Sequence, residues 1–493
     1  METRMAGALL RRKIPVLTLL LASACVLAVT EQAHAIPTFS RKYQTSCITC
    51  HTVWPKLNDT GEAFRRNGYQ FPTGNDLLVK EDAVPFGREM DKDSWPDSLW
   101  PSDMPGLPPF FVRAQLRNIV NTDPGDEGIK WDAQAPHELA IGGAGTFGKD
   151  ISAWWGITFE PEEDEVGVER LFVQFSNLFA WSEEDDEDGM RTGNRFLNLP
   201  KYAMNLRLGR IEPQVLSHVF SQHARISITP PMPNRQRIGD NPFRFEPTQA
   251  AAAELHGIVQ QDWSYAVGLS NGGSVSGGGE EDNNSKDVYF RVAHKWFGFP
   301  MDGVVGESQP VGEIRGQSPD GEYEVFEDYE YAPGGLDFWR SVAFETGVFG
   351  WWGKSEVPFG MMDTRGDAFR RVGGDFRLQW HDLDVYGLGY WGQENYAGLN
   401  GGTDLGGEDF FSYLVQADYT FKPWCLGFVR YEQTVFNEGA RADQEEARVI
   451  PGLVFLIRQN MKLQTEWVLD TTGKDTGGPQ ATDQFLMQLD FAF

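Results

Sequence analysis

From Phe110 to Phe493 the apolar and polar residues alternate with a period of two. Such alternation puts successive side chains on opposite faces of a β-strand. At the far end, Phe485, Met487, Leu489, Phe491 and Phe493 share one face, and Gln488 and Asp490 share the other. In 411–421, Phe411, Tyr413, Val415, Tyr419 and Phe421 oppose Ser412, Gln416, Asp418 and Thr420. In 371–380, Val372, Phe376, Leu378 and Trp380 oppose Arg371, Asp375, Arg377 and Gln379. In 112–117, Val112, Ala114 and Leu116 oppose Arg113, Gln115 and Arg117. The pattern predicts strands near 110–119, 137–146, 150–160, 166–177, 203–212, 249–259, 262–272, 286–299, 336–349, 370–380, 382–393, 409–421, 424–435, 446–457, 459–470 and 482–493.

The links between these strands alternate in length. Short ones fall at Gly148-Lys149-Asp150, Gln261-Asp262, His381-Asp382, Lys422-Pro423 and Arg458-Gln459-Asn460. Long ones, rich in Gly and acid, fall at 121–136, 271–285, 394–408, 436–445 and 471–481. Strands of about ten residues with short turns on one side and long loops on the other describe a bacterial outer-membrane barrel. Links 178–202 and 300–335 lie on the short side yet are long, so they are insertions or hide a further strand pair. The expected fold is all-β: a transmembrane antiparallel β-barrel of about sixteen strands over 110–493. A soluble β-sandwich or propeller would also alternate, but would not explain the link lengths together with an export signal.

That signal is read in residues 1–35. Arg11, Arg12 and Lys13 precede an apolar run from Ile14 to Val29, and Ala33-His34-Ala35 supplies a small-x-small cleavage site. No later run is long and apolar enough for a spanning helix. Residues 36–109 form a third region, a short segment followed by a Pro-rich linker through Trp95-Pro96, Trp100-Pro101 and Pro108-Pro109. Composition agrees with this plan: 54 Gly, 16 Trp and 34 Phe suit many turns and aromatic girdles. The formal net charge of −28 disfavours nucleic acid as a partner, because that needs a basic surface.

The candidate chemistry lies in the short segment. Cys47-Ile48-Thr49-Cys50-His51 is the C-x-x-C-H attachment pattern of c-type haem. The two thiols add to the haem vinyl groups, and the adjacent His51 reaches the iron. A zinc site would need more Cys or His nearby, and a redox dithiol would need a βαβ context; neither is present. Asp59 with Glu62 three residues on predicts a helix N-terminus, and Gly68 its stop. A segment this small buries too little to stand alone, so it is expected to dock on the barrel as a lumen plug.

Around the motif, Pro37-Thr38-Phe39-Ser40-Arg41 precedes and Pro55-Lys56-Leu57-Asn58, Gly61, Phe64 and Asn67-Gly68-Tyr69 follow. In these residues and in its overall plan the chain resembles the fused monohaem cytochrome–porins of the outer membrane, best known from iron-oxidising bacteria. The resemblance implies one covalent haem c on Cys47 and Cys50 with His51 as iron ligand. It implies oxidation of extracellular Fe(II) and delivery of electrons to a periplasmic c-type cytochrome, in a chain embedded in outer-membrane lipid. Because the apolar band is about 25 Å tall, the haem is expected inside the lumen or at its outer end.

Met90, Met104, His218 and His223 are candidate distal ligands, the two histidines on the link 213–248. That link is the third outer loop and is expected to fold into the lumen. Arg113, Arg117, Arg207, Arg371 and Arg377 are expected to face inward, where they meet haem propionates or inward acids such as Asp375 and Asp418. The acid runs Glu162 to Glu165 and Glu183 to Asp188, with Glu281, Asp282, Asp404, Glu408, Glu445 and Glu446 on outer loops, would concentrate cations. Two rivals stand beside Fe(II) oxidation: outward transfer to an extracellular metal, and a diffusion porin with a structural or sensory haem. Denaturing gels of the exported chain should retain a haem stain that Cys47→Ala with Cys50→Ala removes; a stain surviving in the double variant would overturn the attachment site.

Overall fold

The computed structural model divides the chain into two units, residues 1–36 and 37–493. It describes residues 47–71, 110–121, 130–146, 150–161, 165–180, 199–215, 225–235, 250–271, 285–304, 342–359, 363–396, 406–439, 441–458, 460–472 and 483–492, with Phe39, Tyr43 and short strands at 314–317, 323–326, 399–400 and 403–404. The expected signal peptide lies outside the described residues, as does the linker 72–109.

Sixteen strands close into one barrel. They are β1 (Phe110–Asn121), β2 (Trp131–Thr146), β3 (Ile151–Glu160), β4 (Glu165–Phe175), β5 (Asn205–Ile211), β6 (Ala250–Val259), β7 (Trp263–Asn271) and β8 (Lys286–Phe297). There follow β9 (Val342–Phe359), β10 (Asp363–Trp380), β11 (Leu383–Glu394), β12 (Glu408–Lys422), β13 (Cys425–Glu438), β14 (Glu445–Arg458), β15 (Met461–Asp470) and β16 (Gln484–Ala492). Each strand pairs antiparallel with its neighbours in sequence. β16 returns to β1, with Leu489 opposite Leu116. Closure leaves no free edge, which lipid demands because it offers backbone groups no hydrogen bonds.

All sixteen expected strands are present, with differences at their ends. β9 and β10 are each 18 residues long and continue well past the expected 349 and 370. Their upper halves pair with each other, Trp352 opposite Arg370 and Ser355 opposite Asp367. β2 starts at Trp131 rather than 137. The two long links on the short-turn side contribute no barrel strand among the described residues. Link 298–341 carries its own two-stranded sheet, Ile314–Gln317 with Tyr323–Phe326.

The polarity of the barrel is inverted relative to a soluble protein. On β10, Arg371 and Asp375 are 1% and 7% exposed, whereas Val372 and Trp380 are 40% and 57% exposed. On β12, Ser412, Gln416 and Asp418 are buried in the lumen, and Phe411, Val415, Tyr419 and Phe421 are outside. An apolar exterior over a charged interior is stable only where hydrocarbon is the outer solvent. Exposed Trp263, Trp296, Trp380 and Trp424 lie near one rim, as an interfacial girdle does. That rim carries the tight links 147–150, 260–262, 381–382, 423–424 and 459–460 and is the periplasmic one.

Val415 lies mid-strand on the lipid side of β12. Val415→Arg should destabilise the barrel by about 2–4 kcal/mol in urea titrations of the bilayer-inserted protein. A change near zero would mean that this face does not meet hydrocarbon.

Candidate functional site

Residues 47–71 lie inside the lumen at its periplasmic half. The segment begins with a single 3-10 turn, Cys47–Thr49, in which the Cys50 amide donates to the Cys47 carbonyl at 3.2 Å. A tight hairpin pairs His51–Val53 with Lys56–Leu57. One helix follows, α1 (Asp59–Arg66).

Asn58 joins these parts. Its side-chain oxygen caps α1 by accepting from the Gly61 amide at 2.9 Å. Its side-chain nitrogen donates to the Thr49 carbonyl at 3.2 Å, and its own amide donates to the Cys50 carbonyl at 3.0 Å. The cap is therefore one residue earlier than the expected Asp59. Asp59 is the first helical residue and turns instead to Lys295 of β8, at 3.1 Å. Asn58 wins because its extended backbone lets the amide side chain reach both helix and motif. The expected stop holds: Gly68 (φ 74°) donates to the Arg65 carbonyl, and Tyr69 donates to that of Phe64, a Schellman pair.

α1 packs directly on the motif backbone. A Cβ at Gly61 would lie 2.1 Å from the Cys50 carbonyl oxygen, so this contact requires glycine. Phe39, Tyr43, Phe64, Tyr69 and Phe71 form the aromatic core of the segment, continued into the wall where Tyr69 stacks on Trp154 of β3 at 5.5 Å.

The segment is held to the wall around the barrel's circumference. Trp54 packs against the guanidinium of Arg113 on β1, at 5.2 Å, and the ammonium of Lys462 on β15, at 4.9 Å. Lys56 is buried and bridges Asp384 of β11 at 2.6 Å and Asp418 of β12 at 2.5 Å. Arg377 of β10 shares Asp384. The Asn67 amide donates to the Asp302 carbonyl, and Gln174 of β4 donates to the Arg66 carbonyl.

Cys47 and Cys50, three residues apart on one turn, are not joined in a disulfide. His51 Nδ1 sits 3.1 Å from the Pro55 carbonyl. That contact fixes the tautomer with the proton on Nδ1 and leaves Nε2 as a lone-pair donor. Burial lowers the His51 pKa to about 4, against two carbonyl contacts that raise it, so the ring is neutral at neutral pH. Burial, with Cys47 adding to it, pushes the Cys50 thiol up to about 12. Two thiols on one turn beside a neutral, oriented imidazole can hold a covalently attached, iron-bearing macrocycle. No cluster of three or more metal-ligating side chains occurs among the described residues.

The third outer link, between β5 and β6, enters the lumen as expected. Glu466 of β15 accepts from Ser227 Oγ and the Ile228 amide at 2.8 Å each, and from the Thr229 amide at 2.7 Å. Glu432 of β13 accepts from the Met232 amide at 2.9 Å, and Tyr390 donates to the Pro233 carbonyl at 2.8 Å. Ile226 and Ile228 then join one apolar cluster with Val53, two residues beyond His51. The candidate distal ligands Met90, Met104, His218 and His223 all lie outside the described residues.

The inward arginines are paired with wall groups. Arg113 binds Asp490, Arg207 faces Glu254 and Gln174, Arg371 binds Glu394, Arg377 binds Asp384, and Arg117 donates to Gln488. Asp375 binds Arg291, and Asp418 binds Lys56. Glu408, expected on an outer loop, is buried in β12 instead and accepts from the Arg441 amide. The roles of Asn58, Lys56, Glu432 and Glu466 had no local signature, because each acts on a partner remote in sequence or on the backbone.

No protein-family model matches the chain, and no curated protein matches it. Solved structures similar to it are porins. OmpF of Salmonella typhi, in complex with daunomycin, is 12% identical over 78% of this chain and 97% of its own, with a TM-score of 0.48. The anion-selective porin of Comamonas acidovorans is 12% identical over 78% and 98%, with a TM-score of 0.44. OprB of Pseudomonas putida is 8% identical over 78% and 94%, with a TM-score of 0.45. With its closed sixteen strands, apolar exterior and charged lumen, the chain is a porin-like β-barrel of the bacterial outer membrane.

Lys56→Met would leave Asp384 and Asp418 buried without their shared cation, at a cost of about 3–5 kcal/mol. Single-channel conductance should rise and the segment should become protease-sensitive, with the barrel still folded. Unchanged conductance would show that Lys56 does not hold the plug.

Proposed function

We propose that the chain is an electron carrier of the outer membrane. It holds one haem c on Cys47 and Cys50 with His51 as axial ligand, takes electrons from extracellular Fe(II) and gives them to a periplasmic c-type cytochrome. The observation that supports this most is the placement of the C-x-x-C-H segment: inside a membrane barrel, with the His51 Nε2 left available by the Pro55 carbonyl. The resemblance of residues 37–69 to the monohaem cytochrome–porins supports the same reading. When bound, the haem supplies a one-electron iron couple.

The work of the chain's own residues is positional. Pro55 orients His51; Asn58 and Gly61 fix the backbone that carries both thiols. Lys56 locks the segment to β11 and β12, and Asp59 locks it to β8, a few strands further round the barrel. Val53, Ile226 and Ile228 share one apolar cluster beside the motif.

Topology separates the two acid runs. Glu162 to Asp164 belong to the outer link between β3 and β4 and Glu165 begins β4, where the run would draw Fe(II) to the mouth. Glu183 to Asp188 belongs to the link between β4 and β5, whose strand ends are periplasmic, where it would face a basic acceptor. Outward transfer to a metal would use the same residues in the opposite sense. The diffusion-porin reading shares the barrel and the inserted loop; the plug weighs against it.

Anaerobic stopped-flow mixing of the full chain with subsaturating Fe(II) should produce the reduced haem band. The rate should fall as ionic strength rises, since exposed charges are screened beyond about 10 Å at 0.1 M salt. It should fall also when the acids at 162–165 are neutralised, and not when those at 183–188 are. No reduction by Fe(II) would overturn the reading in favour of its rivals.

A further inference from the structure

The plug is held by two kinds of contact. One kind goes to side chains of the barrel wall, as Lys56 does to Asp384 and Asp418. Those acids sit on strands whose ladders close the barrel, so they cannot withdraw. The other kind goes to a link. Residues 298–304 follow β8 at the periplasmic rim and make no barrel pair.

This strap leaves β8 by a sharp bend. Gly298 has φ 120°, and a Cβ there would lie 2.4 Å from that of Ala343 on β9, so the bend requires glycine. The strap then runs back along the rim to the turn between β6 and β7. There the Met301 amide donates to the Gln261 carbonyl at 2.9 Å, and Gln261 Nε2 donates to the Val304 carbonyl at 3.1 Å. The Met301 side chain is buried with Tyr202 and Ile258.

From this rim position the strap is tied to both ends of α1. The Asp302 carbonyl accepts from Asn67 Nδ2 at 2.8 Å, just past the helix C-terminus. Lys295 Nζ donates to the Phe299 carbonyl at 3.0 Å and to Asp59 Oδ1, at the helix N-terminus, at 3.1 Å. Gly61, the residue that rests on the Cys50 carbonyl, lies about 160° round the helix from the midpoint of Asp59 and Asn67. Strap and motif therefore bear on opposite faces of α1. Towards the outer side, the plug meets the inserted loop, which clusters with Val53 and is fixed by Glu432 and Glu466.

The strap differs from the other barriers in being able to move. Swinging it about Gly298 breaks a few hydrogen bonds and uncovers Met301, while every ladder of the barrel stays intact. We infer that residues 298–304 are a latch: the plug enters and leaves the lumen through the periplasmic mouth alone, and the latch closes behind it. This rests on the plug's position and not on the electron-carrier reading.

The test follows plug release as channel opening by the full chain in planar bilayers of known orientation, at a fixed sub-denaturing urea concentration. Met301→Ser weakens the latch at its rim end, and Asn67→Leu removes its bond to the plug. Each should raise the release rate by about ten-fold, as loss of one buried contact does. Protease in the periplasmic compartment should make the openings of both variants permanent, because the released plug is cut there. Protease in the outer compartment should not. Heat-modifiable gel migration checks that each variant is folded. A release rate unchanged by either substitution in a folded barrel would overturn the latch, and openings made permanent from the outer compartment would overturn the periplasmic route.

Discussion

Hydrocarbon cannot hydrogen-bond a peptide group, and the rest of the structure follows from that one constraint. Sixteen strands must close on each other, and the alternating side chains must then divide between lipid and lumen. The lumen receives the charged set, and a charge in a narrow, crowded interior must find a partner. The wall meets part of this demand itself, as in Arg113 with Asp490 and Arg291 with Asp375. It does not meet all of it. Asp384 and Asp418 face each other across β11 and β12, and like charges opposite one another are unfavourable. Lys56 of the plug resolves them. The plug is thus part of the electrostatic solution of the barrel rather than a body placed inside it.

The inserted loop obeys the same rule from the other side. Its backbone amides at Ile228 and Thr229 would be unsatisfied in the lumen, and the buried carboxylate of Glu466 takes both. Arg430 and Arg448 donate to the carbonyls of Thr229 and Pro230. With its polar backbone so accommodated, the loop can spend Ile226 and Ile228 on apolar contact with Val53.

Strand number and order were legible because lipid enforces strict alternation, and mid-strand residues such as Val415 and Gln416 have no freedom to depart from it. Strand ends were less legible. Above the membrane β9 and β10 form a ribbon with no bilayer to impose a pattern, and Trp351-Trp352-Gly353 breaks the period, so the extra turns of both strands are invisible to it. The motif and its helix stop were readable because their chemistry is local: thiol spacing, and a glycine where φ is positive. What holds the motif in place was not. The Lys56–Asp418 contact spans 362 positions, and no local property of a lysine after a proline indicates which acid it will meet. Asn58 was passed over for Asp59 because both are good caps, and only the fold shows that Asn58 must also reach the Thr49 carbonyl.

These placements bear on how a donor outside could reach a group held at the periplasmic half. Electron transfer falls steeply with distance, and the apolar band alone is about 25 Å tall. The outer rim is thus too remote from residues 47–51 for direct contact. One stretch of chain narrows the gap: the loop between β5 and β6 joins the outer ends of those strands, and its described part places Ile226 and Ile228 in one apolar cluster with Val53, two residues past His51. If the proposed carrier works, its donor meets the protein along this loop rather than at the rim. The geometry of the loop then governs the rate, and the anchors that fix that geometry are Glu432 and Glu466, on strands that never approach the loop in sequence. Under that proposal, the carboxylates that decide where the inserted loop comes to rest also decide how near a donor can come.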